Sequence, residues 1–235
     1  MKTTLSLKCV TAAMACIAAC CLLTTLQAAP LEKRSIPSCY SKSSVKLTYY
    51  WIPKEGDKDM NNKGKSITLS GSKTKKLKDK NGKKIAKVAK TTYDKFQMEG
   101  TGLLKSGTMV NLGSGGKSVF MKVDRKKAPY GLGSNSKALV PWVSVAANDI
   151  ALGTTLYIKD LDGISLPNGK KHNGCVRVDD RSWSMGGCQI DFFLLQFSSY
   201  QQFNKKVASK VKVVEKSCKV QDYVNANVKK WAVLA

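Results

Sequence analysis

Cys175-Val176-Arg177-Val178-Asp179-Asp180-Arg181-Ser182-Trp183-Ser184-Met185-Gly186-Gly187-Cys188-Gln189-Ile190-Asp191-Phe192-Phe193 sets carboxylates into two apolar strands joined by a glycine-bearing loop. Val176 and Val178 alternate with Arg177 and Asp179, the period of a strand with one inward face. Asp180-Arg181 ends that strand, and the alternation turns Asp179 away from Asp180. The second strand begins near Gln189 and runs into the apolar segment Phe192 to Leu195. Asp191 therefore stands at a strand start beside an apolar wall, where loss of hydration raises a carboxyl pKa.

Working outward, Lys46 to Ile52 is a β-branched and aromatic strand stopped by Pro53. Further strands are predicted at Thr108 to Leu112, Pro141 to Ala147 and Thr155 to Ile158, with turns at Asp160 to Gly163 and Pro167-Asn168-Gly169. Residues Ser199 to Val207 carry apolar positions at helical spacing, so a short helix follows the last core strand. Val211 to Val214 and Tyr223 to Val228 are two terminal segments able to close a sheet or cover an edge. Between Lys54 and Lys95 the chain is dense in lysine, with Gly71, Asn61-Asn62 and Asn81-Gly82 as turn signals, and reads as inserted hairpins. The glycine runs at 100–102, 113–116 and 131–133 lack the strand and helix context of a phosphate loop and read as turns.

The first 29 residues have a basic start at Lys2 and Lys8, an apolar run from Cys9 to Leu26 and small residues at Ala28-Ala29, the pattern of a secretory signal peptide. Leu31-Glu32-Lys33-Arg34 follows as a dibasic processing site, giving a propeptide over 30–34 and one domain over 35–235 with an insertion at about 54–95. A rival reading of Ile17-Ala18-Ala19-Cys20 as a lipidation site would strand the apolar Cys21-Leu22-Leu23 and leave the dibasic site without a purpose. Removal of residues 1–34 lowers the formal charge from +24 to +21 and leaves four of the eight cysteines. An even set in an exported chain implies disulfides. The expected pairs are Cys175–Cys188, stapling the two acid-bearing strands, and Cys39–Cys218, tying the ends. A zinc site would need CxxC spacing, and His172 is the chain's one histidine, set in a turn-like segment. No metal, no cofactor and no membrane span in the mature chain are expected.

An aromatic first strand, an Ala-Ala…Leu-Gly-Thr connection at 146–154, and Val-Arg-Val-Asp-Asp-Arg…Ile-Asp at 176–191 together resemble the double-psi β-barrel of the rare lipoprotein A group and of the three-aspartate domain of peptidoglycan lytic transglycosylases. Barwin, expansins and family-45 endoglucanases share that barrel. The eleven-residue step from Asp180 to Asp191 agrees with the family spacing. The resemblance implies a mainly β, six-stranded double-psi barrel. It also implies Asp191 as the catalytic acid, with Asp180 orienting it and stabilising oxocarbenium charge. Two departures stand out: the first family aspartate falls at Ala146, and the acid that family-45 enzymes carry after the first-strand aromatics falls at Ile52. Inverting hydrolysis needs a second carboxylate as base, whereas a lytic transglycosylase works with one.

Tyr50, Trp51, Trp142, Arg181 and Trp183 are the residues expected to bind substrate, the aromatics by stacking on sugar rings. The expected partner is a cell-wall polysaccharide, anionic in keeping with the positive charge, met by a secreted monomer. The competing function is an expansin-like or barwin-like module that binds or loosens polysaccharide without cutting it. A specific nucleic-acid partner is not expected, because the lysine run lacks interleaved arginine and aromatic residues.

Overall fold

The computed structural model describes residues 36–234. The expected signal peptide and propeptide lie outside the described residues. The chain enters through a short helix α1 (Ser38–Lys42) into strand β1 (Val45–Tyr50). It then leaves the main sheet for an excursion of β2 (Lys58–Met60), β3 (Ser66–Thr68), β4 (Lys75–Lys78), β5 (Lys84–Val88), helix α2 (Lys90–Glu99), β6 (Thr101–Leu103), β7 (Met109–Leu112) and β8 (Phe120–Lys122). It returns through β9 (Ser144–Ala146), β10 (Thr155–Ile158), β11 (Cys175–Asp180), β12 (Gln189–Phe193), α3 (Phe197–Phe203), β13 (Lys210–Val211), β14 (Val213–Glu215) and α4 (Ala226–Trp231).

Seven of these strands form one sheet in the order β13-β1-β12-β9-β11-β10-β14. Two parallel pairs, β1 with β12 and β9 with β11, are joined by the antiparallel pair β12–β9. The hydrogen-bonded order is open, where the sequence predicts a closed six-stranded barrel. Its edges are nevertheless brought together: β13 pairs with β1 and β14 with β10, and only Lys212 separates β13 from β14. One short segment thus stitches both edges of a strongly rolled sheet. Val176, Val178, Ile190, Phe192, Phe193, Val145 and Leu156 fill its interior, each almost fully buried. At about 1.5–3 kcal/mol per large apolar side chain taken from water, this row is the main favourable contribution of the acid-bearing strands.

The lysine-dense stretch folds as predicted into hairpins, β2–β3 and β4–β5, but the excursion is longer and less purely β than the sequence suggested. It has its own apolar cluster of Leu77, Val88, Phe96, Leu104, Val110 and Phe120. Helix α2 forms where hairpin was expected because Thr92 and Phe96, four residues apart, both face that cluster and Thr92 Oγ1 donates to Leu69 O at 2.8 Å. Gly100, at φ +72°, ends the helix in the left-handed conformation that glycine adopts without cost. Tyr223 to Val228 is also not a strand: Tyr223 is buried, and helix α4 starts at Ala226 with Asn225 as its side-chain cap. No helix among the described residues is long and apolar enough to cross a membrane.

All four cysteines after residue 34 are in disulfides, with the partners exchanged relative to expectation: Cys39–Cys188 and Cys175–Cys218. The reason is topological. β9 runs between β11 and β12, so Cys175 at the start of β11 faces β10 and the segment after β14 rather than Cys188. His172 lies in a loop, as expected, but is buried: its ring stacks on Tyr223 with centroids 5.0 Å apart, Nδ1 accepts from Gly174 N and Nε2 donates to Trp142 O at 2.8 Å. Burial lowers its pKa to about 4, so it stays neutral and holds structure.

Candidate active site

The register of the three central strands decides the geometry. Ala146 of β9 pairs with Asp180 of β11 on one side and with Asp191 of β12 on the other, and Asp191 in turn pairs with Thr48 of β1. Directly paired residues share a face, so both carboxylates stand on one face with the methyl group of Ala146 between them. Two interstrand steps of ~4.8 Å put their α-carbons about 10 Å apart. A β-bulge between Val178 and Asp180 makes this alignment possible: Asp179 is the extra residue, and Asp180 rather than Asp179 lands opposite Ala146.

Asp179 goes elsewhere. It is 0% exposed, receives Arg177 Nε on Oδ1 at 2.7 Å and Arg177 Nη2 on Oδ2 at 2.9 Å, and accepts from Ser144 Oγ at 2.6 Å. The same Ser144 oxygen accepts from Val140 N. A fully partnered buried carboxylate of this kind fixes the bulge and is not free for chemistry.

Asp180 Oδ1 accepts from Arg181 N at 2.8 Å and from Ser134 Oγ at 3.0 Å. Burial raises its pKa, and these two donors oppose the rise. Ser134 reaches it because Gly133 lies against the strand: a methyl group on Gly133 would meet Asp179 O at 2.5 Å and Asp180 Cγ at 3.2 Å. Asp191 is held differently. Its Oδ1 is buried without a hydrogen-bond partner. Desolvation pushes its pKa up from 3.8 to about 7, with Thr48 opposing and the charges of Glu99 and Asp180 adding. Asp191 is therefore half protonated near neutrality while lining an open cleft.

That cleft holds about 220 Å³ and is bounded by Tyr50, Glu99, Ala146, Asp180, Arg181, Trp183 and Asp191. A second lobe of about 280 Å³ continues past Tyr50, Glu99, Asp180 and Trp183 to Trp51, Asn111 and Ser134. The Tyr50 hydroxyl is buried beside Asp180 without reaching hydrogen-bond geometry, and burial followed by the surrounding carboxylates raises its pKa. Trp183 is 80% exposed on the rim, with Lys117 Nζ 5.9 Å from its ring centre. Arg181 faces the cleft but spends its guanidinium on the carbonyls of Ala147 and Ile150, which makes it a clamp on the loop. Asn148 holds the same loop through Ser182 N, Ser182 O and Met185 O. Trp51 is nearly buried, stacked on Tyr200 at 4.9 Å, and only its edge borders the outer lobe. Trp142, expected to stack on sugar, is 1% exposed inside the core and presents no face to the cleft.

Sequence reasoning missed Glu99. It ends α2 and brings a third carboxylate to the cleft from the excursion, across from the sheet. Burial raises its pKa, and Lys95 opposes the rise. Lys95 is itself buried; its Nζ lies 2.7 Å from Glu99 and 3.2 Å from Asp59, and 4.8 Å from the Trp51 ring centre. Trp51 Nε1 closes the network by donating to Asp59. The signal for Glu99 was faint: a lone acid four residues after Lys95, within a helix the composition hides.

Among the described residues, Cys39, Asp149 and Cys188 are the one grouping with metal-ligand chemistry. Their sulfurs are joined to each other, and Asp149 accepts from Tyr40 Oη and Cys188 N. This trio is a structural knot.

Fold and site together define a protein with a mixed, rolled β-sheet and a three-carboxylate cleft between sheet and excursion. Three solved structures are similar at a distance. E. coli MltA with bound chitohexaose is 14% identical, with a TM-score of 0.44 over 72% of this chain and 70% of that one. A membrane-bound lytic murein transglycosylase from Agrobacterium tumefaciens is 10% identical, with a TM-score of 0.44 over 72% of each chain. The lytic transglycosylase LtgG of Burkholderia pseudomallei is 14% identical, with a TM-score of 0.40 over 72% of this chain and 70% of that one. Likenesses this remote carry no weight for the chemistry. No protein-family model matches the chain, and no curated protein matches it in sequence.

Proposed function

We propose that this protein cleaves a cell-wall glycan outside the cytosol, with Asp191 as its acid, as a lytic transglycosylase. The observation that carries the reading is Asp191 itself: a carboxyl group with a buried, unpartnered oxygen, a pKa of about 7, and an open cleft in front of it. A group in that condition can give a proton at working pH and take it back. In the proposed reaction Asp191 protonates the glycosidic oxygen as the C1–O bond breaks. Asp180, across Ala146, stabilises the positive charge on the ring. The C6 hydroxyl of the same sugar then attacks C1 and returns its proton to Asp191, leaving a 1,6-anhydro end and a new free hydroxyl on the other fragment. Trp183 and Tyr50 border the sugar's path. The rolled sheet with two parallel strand pairs supports a variant of the double-psi barrel, and the two disulfides support an oxidising compartment.

The second reading is a wall-binding module without catalysis, favoured by Ala146 standing where the resemblance implies an acid. One experiment separates the two. The mature chain and its Asp191→Asn variant are incubated with peptidoglycan, chitohexaose, cellulose and β-glucan, and soluble products are read by mass spectrometry. Anhydro-ended fragments from the wild type alone are expected. Equal binding by both forms with no product from any glycan would leave the binding module as the correct reading. If the acid limb is Asp191, the rate should fall about tenfold per pH unit above pH 7.

A further inference from the structure

The hairpin β4–β5 places lysines against lysines. Lys76 stands opposite Lys87 and Lys78 opposite Lys84, all four exposed, on the side away from the buried Leu77. Like charges directly opposed across strands destabilise a hairpin, and none of these four forms an ion pair among the described residues. Beside them lies a depression of about 540 Å³, rimmed by Lys80, Lys83, Lys84 and Lys122 over a floor that includes Ile85 and Phe120. Its one acid, Asp79, is occupied by the turn, accepting from Asn81 N and Lys83 N. The excursion therefore carries a groove with four lysines on its rim against a single carboxylate.

We propose that this groove and hairpin face form a second binding site, separate from the acid cleft, for a linear anionic glycopolymer with repeating phosphodiester or carboxylate groups. Lysine ammonium groups on flexible stems meet such charges as point contacts without demanding one geometry. The apolar floor suits the carbon backbone of a polyol or sugar chain. Nucleic acid is disfavoured because this face has no exposed aromatic residue to receive bases and no arginine. β7 and its following loop border both regions, Leu112 in the outer lobe of the cleft and Gly113 in the groove, so a polymer on the lysines lies close to the cleft mouth. The site does not depend on any chemistry at Asp191.

The test uses the mature chain, a variant with Lys76, Lys78, Lys84 and Lys87 changed to glutamine, and a control with Lys126, Lys171, Lys205 and Lys206 changed to glutamine. Both variants lose the same net charge. Binding is titrated against poly(glycerol phosphate), polygalacturonate, neutral dextran and oligodeoxythymidylate over a range of salt. For the preferred anionic polymer, the slope of log affinity against log salt should be shallower by about three in the hairpin variant, from four contacts at ~0.7–0.9 each. It should be nearly unchanged in the control. Which of the two anionic polymers binds more tightly identifies the charged group. Equal losses in both variants, equal binding of dextran, or tighter binding of oligodeoxythymidylate than of either polymer would overturn the proposal. The hairpin variant should melt no lower than wild type at low salt, since its substitutions remove repulsion.

Discussion

Replacing Asp191 by asparagine should make the protein more stable, by an amount that grows as the pH rises from about 4 to about 7. In the unfolded chain the Asp191 carboxyl ionises near 3.8, whereas in the folded protein it ionises at about 7 because it is desolvated beside Glu99 and Asp180. Between those values the native state holds a proton that the unfolded state has released. Stability therefore falls as pH rises, and the full cost is present above pH 7. A shift of about three units at ~1.4 kcal/mol each corresponds to about 4 kcal/mol. Asparagine has the shape of the protonated acid and never ionises, so the variant should lack this slope. Urea unfolding of both forms with disulfides intact, at pH 4 and pH 8, measures it. The two should be within about 1 kcal/mol at pH 4, and the variant should be the more stable by about 3–4 kcal/mol at pH 8. Parallel pH dependences would refute the claim that Asp191 is held in a desolvated state, whatever its role in catalysis.

Three further outcomes follow from the same geometry. Asp179→Ala strips the partner from Arg177 and Ser144 inside the bulge and should cost about 3 kcal/mol in unfolding free energy, at the lower end for a broken buried pair because Arg177 can still reach water. Gly133→Ala forces a methyl group onto the Asp179 carbonyl and should cost about 1–3 kcal/mol, with a lower rate because Ser134 is pushed from Asp180; an unchanged melting temperature and rate would count against that contact. Trp183→Ala should leave the melting temperature unchanged, the ring being 80% exposed, while glycan binding measured by calorimetry weakens about three- to tenfold, the worth of one stacking contact.

The acid-bearing strands were legible because alternation and the apolar run after Asp191 are local signals. β11 and β12 fall at Cys175–Asp180 and Gln189–Phe193, the quoted stretch itself. The pairing of Asp180 and Asp191 through Ala146 was not legible, since it depends on β9 inserting between strands that are neighbours in sequence. The same insertion exchanged the disulfide partners. Trp142 and Trp183 have the same chemistry, and nothing local separates the one buried in the core from the one on the rim. Helix α2 was hidden by composition: its face toward the sheet shows little more than Thr92, Lys95 and Phe96, so polar residues dominate and Glu99 looked like surface.

The stitch at Lys210–Glu215 bears on how the chain can be made. β1 is the first of the described strands to emerge during synthesis, yet both of its neighbours come late: Lys46 pairs with Gln189 and with Lys210. The outer edge of β10 waits for Val213 to Glu215. Until about nine-tenths of the chain exists, two strand edges have no partner and the acid-bearing strands have no completed sheet to pack in. Such long-range pairing is slow and leaves sticky edges uncovered in the meantime. A nascent chain that has not reached Lys210 therefore exposes both of these edges. A truncation after Ser209 would yield aggregate rather than a shortened fold, because the 26 residues lost include the six, Lys210–Glu215, that close the sheet on both sides, and Cys218, the disulfide partner of Cys175.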